Sequence, residues 1–418
     1  MLRWKIAVLV AIAIAISYLD RQALPVAIQA IARDIPVTNE QFSELQSAFL
    51  IAYAFMYAGG GKLMDVLGTR RGFTVIMVFW SLASASHGLA ASVGTLALSR
   101  FLLGVGEGGG FPAATRAVAE WFPVQERSTA MGVINAGTAV GMIVAPPLIA
   151  LVLSAADWPW VFLLTAGLGL AWTLWWRRDY YPPERHPRLG DAERRQVQSV
   201  LGAATGSPGE LGWLHLLRFR QTWGVVIAKF LSDAAWYFYL FWLPKYLYDA
   251  RAFDIKAVAT FAWIPPAAAA VGSLVGGWLS SRLLRRKLPL DHARKVALGA
   301  SAVLMPLILF VPRVPVAWAI ALFSIAYFGQ QSWSTLVMVL PADIYPRPAV
   351  GAVAGLVGFG GALGGVAFGQ AVGYLLDHGF GYGPVFALAG SFHVVTFAVI
   401  CLAIPRIEPL VPAPRGAS

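Results

Sequence analysis

Stretches of about twenty residues with almost no charge recur about twelve times along this chain, and no other feature limits its fold so strongly. A run of that length crosses the hydrocarbon core of a bilayer as a helix, and inside a bilayer only a helix or a closed barrel satisfies its own backbone. The stretches fall at roughly 4–31, 42–64, 72–92, 94–118, 128–153, 158–176, 221–247, 257–281, 294–311, 315–339, 350–375 and 383–404. Charged residues make up 13% of the chain, about half of what a soluble domain carries. The sequence therefore predicts an all-α membrane protein of twelve transmembrane helices. The first run begins with Arg3 and Lys5 but lacks a small-residue cleavage pattern, and Asp20-Arg21 interrupts it. It reads as the first span and not as a signal peptide.

The polar segment from Arg177 to Arg220 is the long interruption, with Pro182-Pro183, Pro187, Gly190 and Gly206-Ser207-Pro208-Gly209. Asp191 to Leu201 within it suits a short amphipathic surface helix. The chain thus divides into an N-terminal six-helix bundle (1–177), a linker (178–220) and a C-terminal six-helix bundle with a short tail (221–418). With the N-terminus inside, about 24 Lys and Arg lie on the inner side and about five on the outer: Arg33, Lys245, Arg251, Lys256 and Arg313. Both termini and the linker are then expected in the cytoplasm. The formal net charge of +11 is spread over these loops, which argues against a nucleic-acid partner. Cys401, the single cysteine, excludes an intrachain disulfide and a cysteine metal site.

The two halves resemble each other. Gly61-Lys62-Leu63-Met64-Asp65-Val66-Leu67-Gly68-Thr69-Arg70-Arg71 follows span two, and Gly277-Trp278-Leu279-Ser280-Ser281-Arg282-Leu283-Leu284-Arg285-Arg286-Lys287 follows span eight. Span five opens with Phe122-Pro123 and continues with Gly132, Gly137 and Gly141. Span eleven opens with Tyr345-Pro346 and continues with Gly355, Gly360 and Gly364 in the same register. Repeated halves suggest a transporter with a site at the midplane between them. The glycines let helices approach closely, and their clustering would also permit sliding.

Six ionisable residues fall well inside spans: Asp20, Arg21, Arg100, Glu107, Lys229 and Asp233. Each is expensive at that depth, so function is the default reading. Arg100 and Glu107 share a face of span four, and Lys229 and Asp233 share a face of span seven. All could be ion pairs that merely hold helices together. Asp20 and Arg21 are neighbours in sequence, so they point different ways and cannot simply neutralise each other. The set is balanced. A carboxylate bound at Arg21 would unbalance it unless Asp20 or Glu107 took up a proton, which describes proton–anion symport. An Arg100 that swings away from Glu107 on protonation would act as the switch. Tyr18, Gln22, Tyr53, Asn135, Thr138, Gln330, Gln331, Trp333 and Ser334 lie at depths suited to lining a cavity, and their hydroxyls, amides and rings suit a sugar-like ligand. Trp236, Tyr237, Tyr239 and Trp242 could instead face lipid or the membrane interface. A membrane enzyme is disfavoured, because His87, His186, His215, His292, His378 and His393 are scattered and no metal or nucleophile motif appears. A channel would not need the coupling acids.

The Gly61–Arg71 segment resembles the loop signature of the major facilitator superfamily, with Val66 and Thr69 where basic residues are usual. Arg100-Phe101-Leu102-Leu103-Gly104-Val105-Gly106-Glu107-Gly108 resembles its span-four motif. Tyr18-Leu19-Asp20-Arg21 together with Arg100, Glu107 and the following Gly-Gly-Gly-Phe-Pro112 resembles the anion:cation symporter family. Trp236 to Tyr246, Asn135-Ala-Gly-Thr138 with Ala145-Pro-Pro147, and Ala349-Val-Gly351 with Gly360-Gly361 are similar to bacterial hexuronate transporters. The resemblance implies two pseudo-symmetric six-helix bundles in a monomer of the cell inner membrane, working by rocking. It implies substrate binding at Arg21, Tyr18 and Tyr53, protonation at Asp20 and Glu107, and control of Glu107 by Arg100. Gly61, Asp65, Gly68, Arg70, Arg71, Lys229 and Asp233 would be structural or gating. The partners are a small organic anion, protons and lipid, with no cofactor. Galactonate-type members have Gln at the place of Thr138 and Asn at that of Gly358, which points away from galactonate.

Overall fold

The computed structural model describes residues 2–122, 124–190, 216–345 and 347–408. The surface helix expected at 191–201 lies outside the described residues. The order is α1 (Leu2–Asp34), α2 (Asn39–Ser86), a 3-10 turn (His87–Leu89), α3 (Val93–Gly108), α4 (Gly110–Trp121), α5 (Val124–Ala155), α6 (Pro159–Asp179) and a second 3-10 turn (Pro183–Arg185). The later part holds α7 (Arg220–Arg251), α8 (Ile255–Phe261), α9 (Ile264–Arg285), α10 (Leu290–Ala302), a 3-10 stretch (Met305–Arg313), α11 (Val316–Val337), α12 (Leu340–Ile344), α13 (Arg347–Asp377) and α14 (Tyr382–Ala403). No strand occurs among the described residues. Nine helical stretches among them are long and apolar enough to cross a membrane. The other three expected spans, at 42–64, 94–118 and 315–339, are helical within α2, α3–α4 and α11–α12.

Proline sets where the broken spans break. The breaks follow Gly108, Phe261, Ala302 and Val337, each four residues before a proline: Pro112, Pro265, Pro306 and Pro341. A proline offers no N–H to the carbonyl four residues back, and its ring collides with that carbonyl. The fourth, eighth, ninth and tenth spans, expected as single helices, are each divided at such a position. Spans two and three run together as α2, which leaves helical geometry at Gly68 (φ 73°, ψ 155°), where glycine meets no Cβ clash.

Within each half, glycines rest on backbone of the neighbouring helix. Gly137 and Gly141 of α5 lie against the carbonyls of Ala11 and Ala15 on α1, and a Cβ at either would collide. Gly364 of α13 stands in the same way against the Phe230 carbonyl on α7, and Gly360 lies against the Val226 side chain one turn before it. Gly104 of α3 meets the Phe49 carbonyl on α2, and Gly272 of α9 meets that of Phe328 on α11. The internal repeat read from the sequence is therefore visible as repeated glycine seams.

Call the end that holds the start of α1 and the end of α14 proximal, and the opposite end distal. Contacts between the first six spans and the last six run from mid-depth to the distal end. Gln22 Nε2 donates to the Leu240 carbonyl (2.8 Å), Tyr248 Oη donates to the Val26 carbonyl (2.6 Å), and Gln370 Nε2 donates to Ser47 Oγ (2.9 Å). At the distal rim Asp377, ending α13, accepts from the Asn39 N–H (3.1 Å), Asn39 Nδ2 (2.6 Å) and the Glu40 N–H (2.7 Å) at the start of α2. His378 stands 3.7 Å from Glu40.

The aromatic run of α7 does not face lipid. Trp236, Tyr237, Tyr239 and Trp242 are all buried. Trp242 packs edge-on against Phe42 of α2 at 4.9 Å, and Tyr239 lies 5.6 Å from Tyr327. Composition alone does not separate an interface belt from a seam between two bundles, because both favour large amphipathic rings.

Candidate functional site

Arg21 sits at mid-depth on α1 with 2% of its surface exposed. Ser17 lies one turn before it on the same face. Both reach Glu107 of α3: Ser17 Oγ donates to Glu107 Oε2 (2.6 Å) and Arg21 Nε donates to the same oxygen (2.7 Å). The guanidinium is flanked by the rings of Tyr18 (4.5 Å), Tyr53 (4.6 Å) and Phe49 (5.3 Å), all within cation–π range. Glu107 reaches this place because Gly104 and Gly108 let α3 lie on the α2 backbone at Phe49 and Tyr53.

Asp20 points elsewhere, as adjacent residues on a helix must. Its Oδ2 accepts from Trp80 Nε1 (2.9 Å) and its Oδ1 accepts from Ser84 Oγ (2.7 Å); Ser84 in turn meets Thr165 Oγ1 at 2.9 Å. This acid is fully buried and held by three neutral groups on α2 and α6.

The Arg100–Glu107 pair expected from the sequence is not formed. Seven residues of helix rise separate the two by roughly 10 Å, so a shared face does not bring their charges together. Arg100 instead donates from Nη2 to Gln46 Oε1 and lies 4.6 Å from the Phe49 ring. Among the described residues its Nε and Nη1, and Glu107 Oε1, have no hydrogen-bond partner.

The C-terminal half presents its own pair to the same space. Lys229 Nζ donates to Asp233 Oδ1 (2.8 Å) and to Ser334 Oγ of α11 (3.1 Å). Lys229, Asp233, Tyr237 and Phe241 follow one another every four residues and form one stripe of α7. Facing it, Phe49, Tyr53 and Tyr57 form a stripe of α2 with ring spacings of 5.8 and 5.7 Å. The stripes meet where Phe49 approaches Phe241 edge-on at 6.4 Å. Gly358 and Gly361, one turn apart on α13, rest against the Tyr57 ring and the Asp233 carboxylate, which puts the two at neighbouring levels.

The other sequence candidates are distributed more loosely. Gln22 serves the interface through Leu240. Thr138 Oγ1 donates to the Asn135 carbonyl on its own helix, and no hydrogen bond among the described residues joins either residue to the charge cluster. Gln330 and Trp333 are buried, and their Oε1 and Nε1 have no partner among the described residues; Gln331 is half-buried. At the proximal end Arg70 donates to the Arg177 carbonyl and lies 3.8 Å from the Tyr181 ring, while Arg71 is exposed. Gly61 lies within α2, and the side chain of Asp65 lies outside the described residues. No group of three His, Cys, Asp or Glu among the described residues is placed to hold a metal.

Ser17, Gln46, Phe49, Trp80, Ser84 and Thr165 join the site without a charge to mark them in the sequence. Polar groups one turn apart in an apolar span, such as Trp80 and Ser84, were the available signal. Glu120 was also missed: it accepts from Thr69 Oγ1 (2.5 Å), Tyr180 Oη (2.5 Å) and Arg116 Nε (3.3 Å) beside the Gly68 bend.

Residues 10–368 match the Major Facilitator Superfamily. The chain is 30% identical over 417 residues to a hexuronate transporter of Escherichia coli (strain K12), covering 97% of this chain and 96% of that protein. It is 34% identical over 307 residues to a galacturonate transporter of Dickeya chrysanthemi, covering 73% and 89%. Its fold is similar to that of a xylose transporter from E. coli in an inward-open conformation, with a TM-score of 0.75, 14% identity and 96% of each chain covered.

Proposed function

The chain belongs to the major facilitator superfamily, and on that premise we propose that it imports a sugar-acid anion, a hexuronate such as glucuronate or galacturonate, together with protons. It is a membrane-embedded transporter, not an enzyme. The similarity to hexuronate and galacturonate transporters supports the substrate class. The inner membrane, cytoplasmic termini, a monomeric state and protons as coupling ion without any cofactor belong to the same proposal, the orientation resting on the loop charges.

One observation carries the coupling: Glu107 is bonded to Arg21 through Nε. That bond leaves the two terminal nitrogens of the guanidinium as a fork for a second carboxylate. Two carboxylates on one buried guanidinium leave an uncompensated negative charge in a low-dielectric space. A proton on Glu107 removes it. Substrate binding therefore draws a proton onto Glu107, and Asp20, already held by neutral donors, is the second candidate for protonation. Release of the substrate lets Glu107 lose its proton and return to Arg21. Arg100 is left with Gln46 and Phe49 and so acts as a fixed positive charge nearby rather than as a direct partner of Glu107.

Glycine at position 358 lies against the Tyr57 ring, which leaves no amide at the place where galactonate-type members carry Asn. This favours a hexuronate over an aldonate, and aldonates and aromatic carboxylates are the alternatives. The test is uptake of glucuronate, galacturonate, galactonate and benzoate into proteoliposomes under an imposed pH gradient. Accumulation of a hexuronate above equilibrium, abolished by a protonophore, is expected. Accumulation of benzoate alone would sink the sugar-acid reading, and downhill equilibration unaffected by the gradient would sink the coupling.

A further inference from the structure

The Lys229–Asp233 pair is a buried charge pair that the carboxylate and proton steps leave unused. It lies on the α7 stripe that faces the Tyr53–Tyr57 stripe, across from Arg21. Its side chains are nearly buried, at 10% and 9% exposure, against 2% and 0% for Arg21 and Glu107. Ser334 Oγ fixes Lys229 from α11. Gln330, one turn before Ser334 on α11, has an unpartnered and fully buried Oε1. Gly361 lets α13 lie directly against Asp233, whose carboxylate occupies the place of a Cβ there.

We infer that Lys229 and Asp233 form a hydroxyl-reading clamp, which holds the end of the substrate farthest from the carboxylate on Arg21. The inference rests on the sugar-acid reading above. Three physical points support it. The pair is self-neutralised, so it suits a neutral polyol and not a second anion. A carboxylate accepts from hydroxyls and an ammonium donates to them, so together they read both sides of a vicinal diol. Arg21 lies at the level of Tyr53, and Tyr57, one turn farther along α2, rests on Gly358 of α13, one turn from the Gly361 that meets Asp233. The gap is thus on the order of one to two turns, roughly 5–10 Å. A six-carbon chain, with bonds of about 1.5 Å, spans about 6 Å and fits between. The clamp belongs to the C-terminal half and Arg21 to the N-terminal half. A bound sugar acid would then tie the halves together, and a short carboxylate would not.

The test is a binding comparison on the purified full-length protein with D-galacturonate and its 2,3-dideoxy analogue, which carry the same charge. Wild type should prefer the intact acid by about ten- to a hundredfold, the worth of hydrogen bonds to charged groups. In the double variant Lys229→Gln/Asp233→Asn, which leaves no charge unpaired, the preference should fall below about threefold while affinity for the dideoxy acid stays within about threefold of wild type. A preference kept intact in the double variant would make the pair purely structural and overturn the clamp. Wild type that binds both acids equally overturns the clamp but leaves carboxylate recognition at Arg21 standing. Wild type that binds neither overturns the sugar-acid reading and the clamp with it. If the double variant does not fold, Ser334→Ala decides, since loss of the Lys229 tether should lower the preference by about threefold and an unchanged preference overturns the clamp.

Discussion

Replacing Asp377 by Ala should open the distal end of the molecule. The Asp377 carboxylate takes three donors from the first residues of α2, and these contacts exist only while the two halves are closed at that end. A carboxylate that caps a helix start is worth about 1 kcal/mol, and its charge against the helix N-terminus adds about 0.3–1 kcal/mol at an exposed site. The sum of about 1–2 kcal/mol corresponds to a shift of about 5- to 30-fold toward the distal-open state. Asp377→Asn keeps the acceptor and loses the charge, so it should shift the balance by about fivefold at most. Distances between spin labels on Ala91→Cys, in a loop, and Arg313→Cys, at the end of a 3-10 stretch, both exposed and on opposite halves, read the populations in a Cys401→Ser background. Burial works against ionisation of Asp377, but the Glu40 N–H and the Asn39 donors outweigh it and hold the carboxyl below its usual range. A closed-state pKa depressed in this way stabilises closure above about pH 4 and is lost only as the pH falls through the lowered value. The Asp377→Ala effect should therefore be equal at pH 8 and pH 6. A population change below twofold, or one that vanishes between these pH values, would refute the latch.

Glu107→Gln should abolish gradient-driven uptake while leaving counterflow exchange, because a fixed neutral group mimics the protonated acid; pH-dependent active uptake in the variant would remove Glu107 from coupling. Arg21→Ala should eliminate substrate binding and lower stability by about 3–5 kcal/mol by stranding the Glu107 charge, and a thermal melt with near-normal ligand stabilisation would contradict it. Gly141→Ala forces a Cβ into the Ala15 carbonyl, so a loss of about 1–3 kcal/mol or of folded protein is expected from detergent melts, and a wild-type melting temperature would show that the seam yields. Ser84→Ala removes one of the two direct donors to Asp20 and should change the pH midpoint of uptake without changing substrate affinity at saturating proton concentration, a split visible in uptake kinetics at varied pH.

The fold was legible because a bilayer leaves a chain few choices. Charge-free runs located the spans, and recurrent glycines located the seams. The breaks at Gly108 and Val337 coincide with the carbonyls that Pro112 and Pro341 leave unbonded, but Pro25, Pro146, Pro147 and Pro244 sit inside continuous helices, so proline alone does not mark a break. The ionisable residues of the site were also visible, because charge at membrane depth is rare. Their pairing was not. Arg100 and Glu107 share a helix face yet lie about two turns apart, whereas Arg21 meets Glu107 only because α1 and α3 are held together by tertiary packing. The destination of Trp236, Tyr237, Tyr239 and Trp242 was ambiguous for the same reason: rings that suit a lipid boundary suit a helix boundary equally well.

The glycine seams have a consequence for how far such a sequence can drift. Gly137, Gly141, Gly364 and Gly272 each press on a backbone carbonyl of the neighbouring helix. Where one side chain meets another, a change on one side can be offset by a change on the other. A carbonyl cannot mutate, so these contacts admit no compensating partner. Divergence must pass around them, and in distant members of the fold these four positions should serve as alignment landmarks when the residues that touch the cargo have already been exchanged.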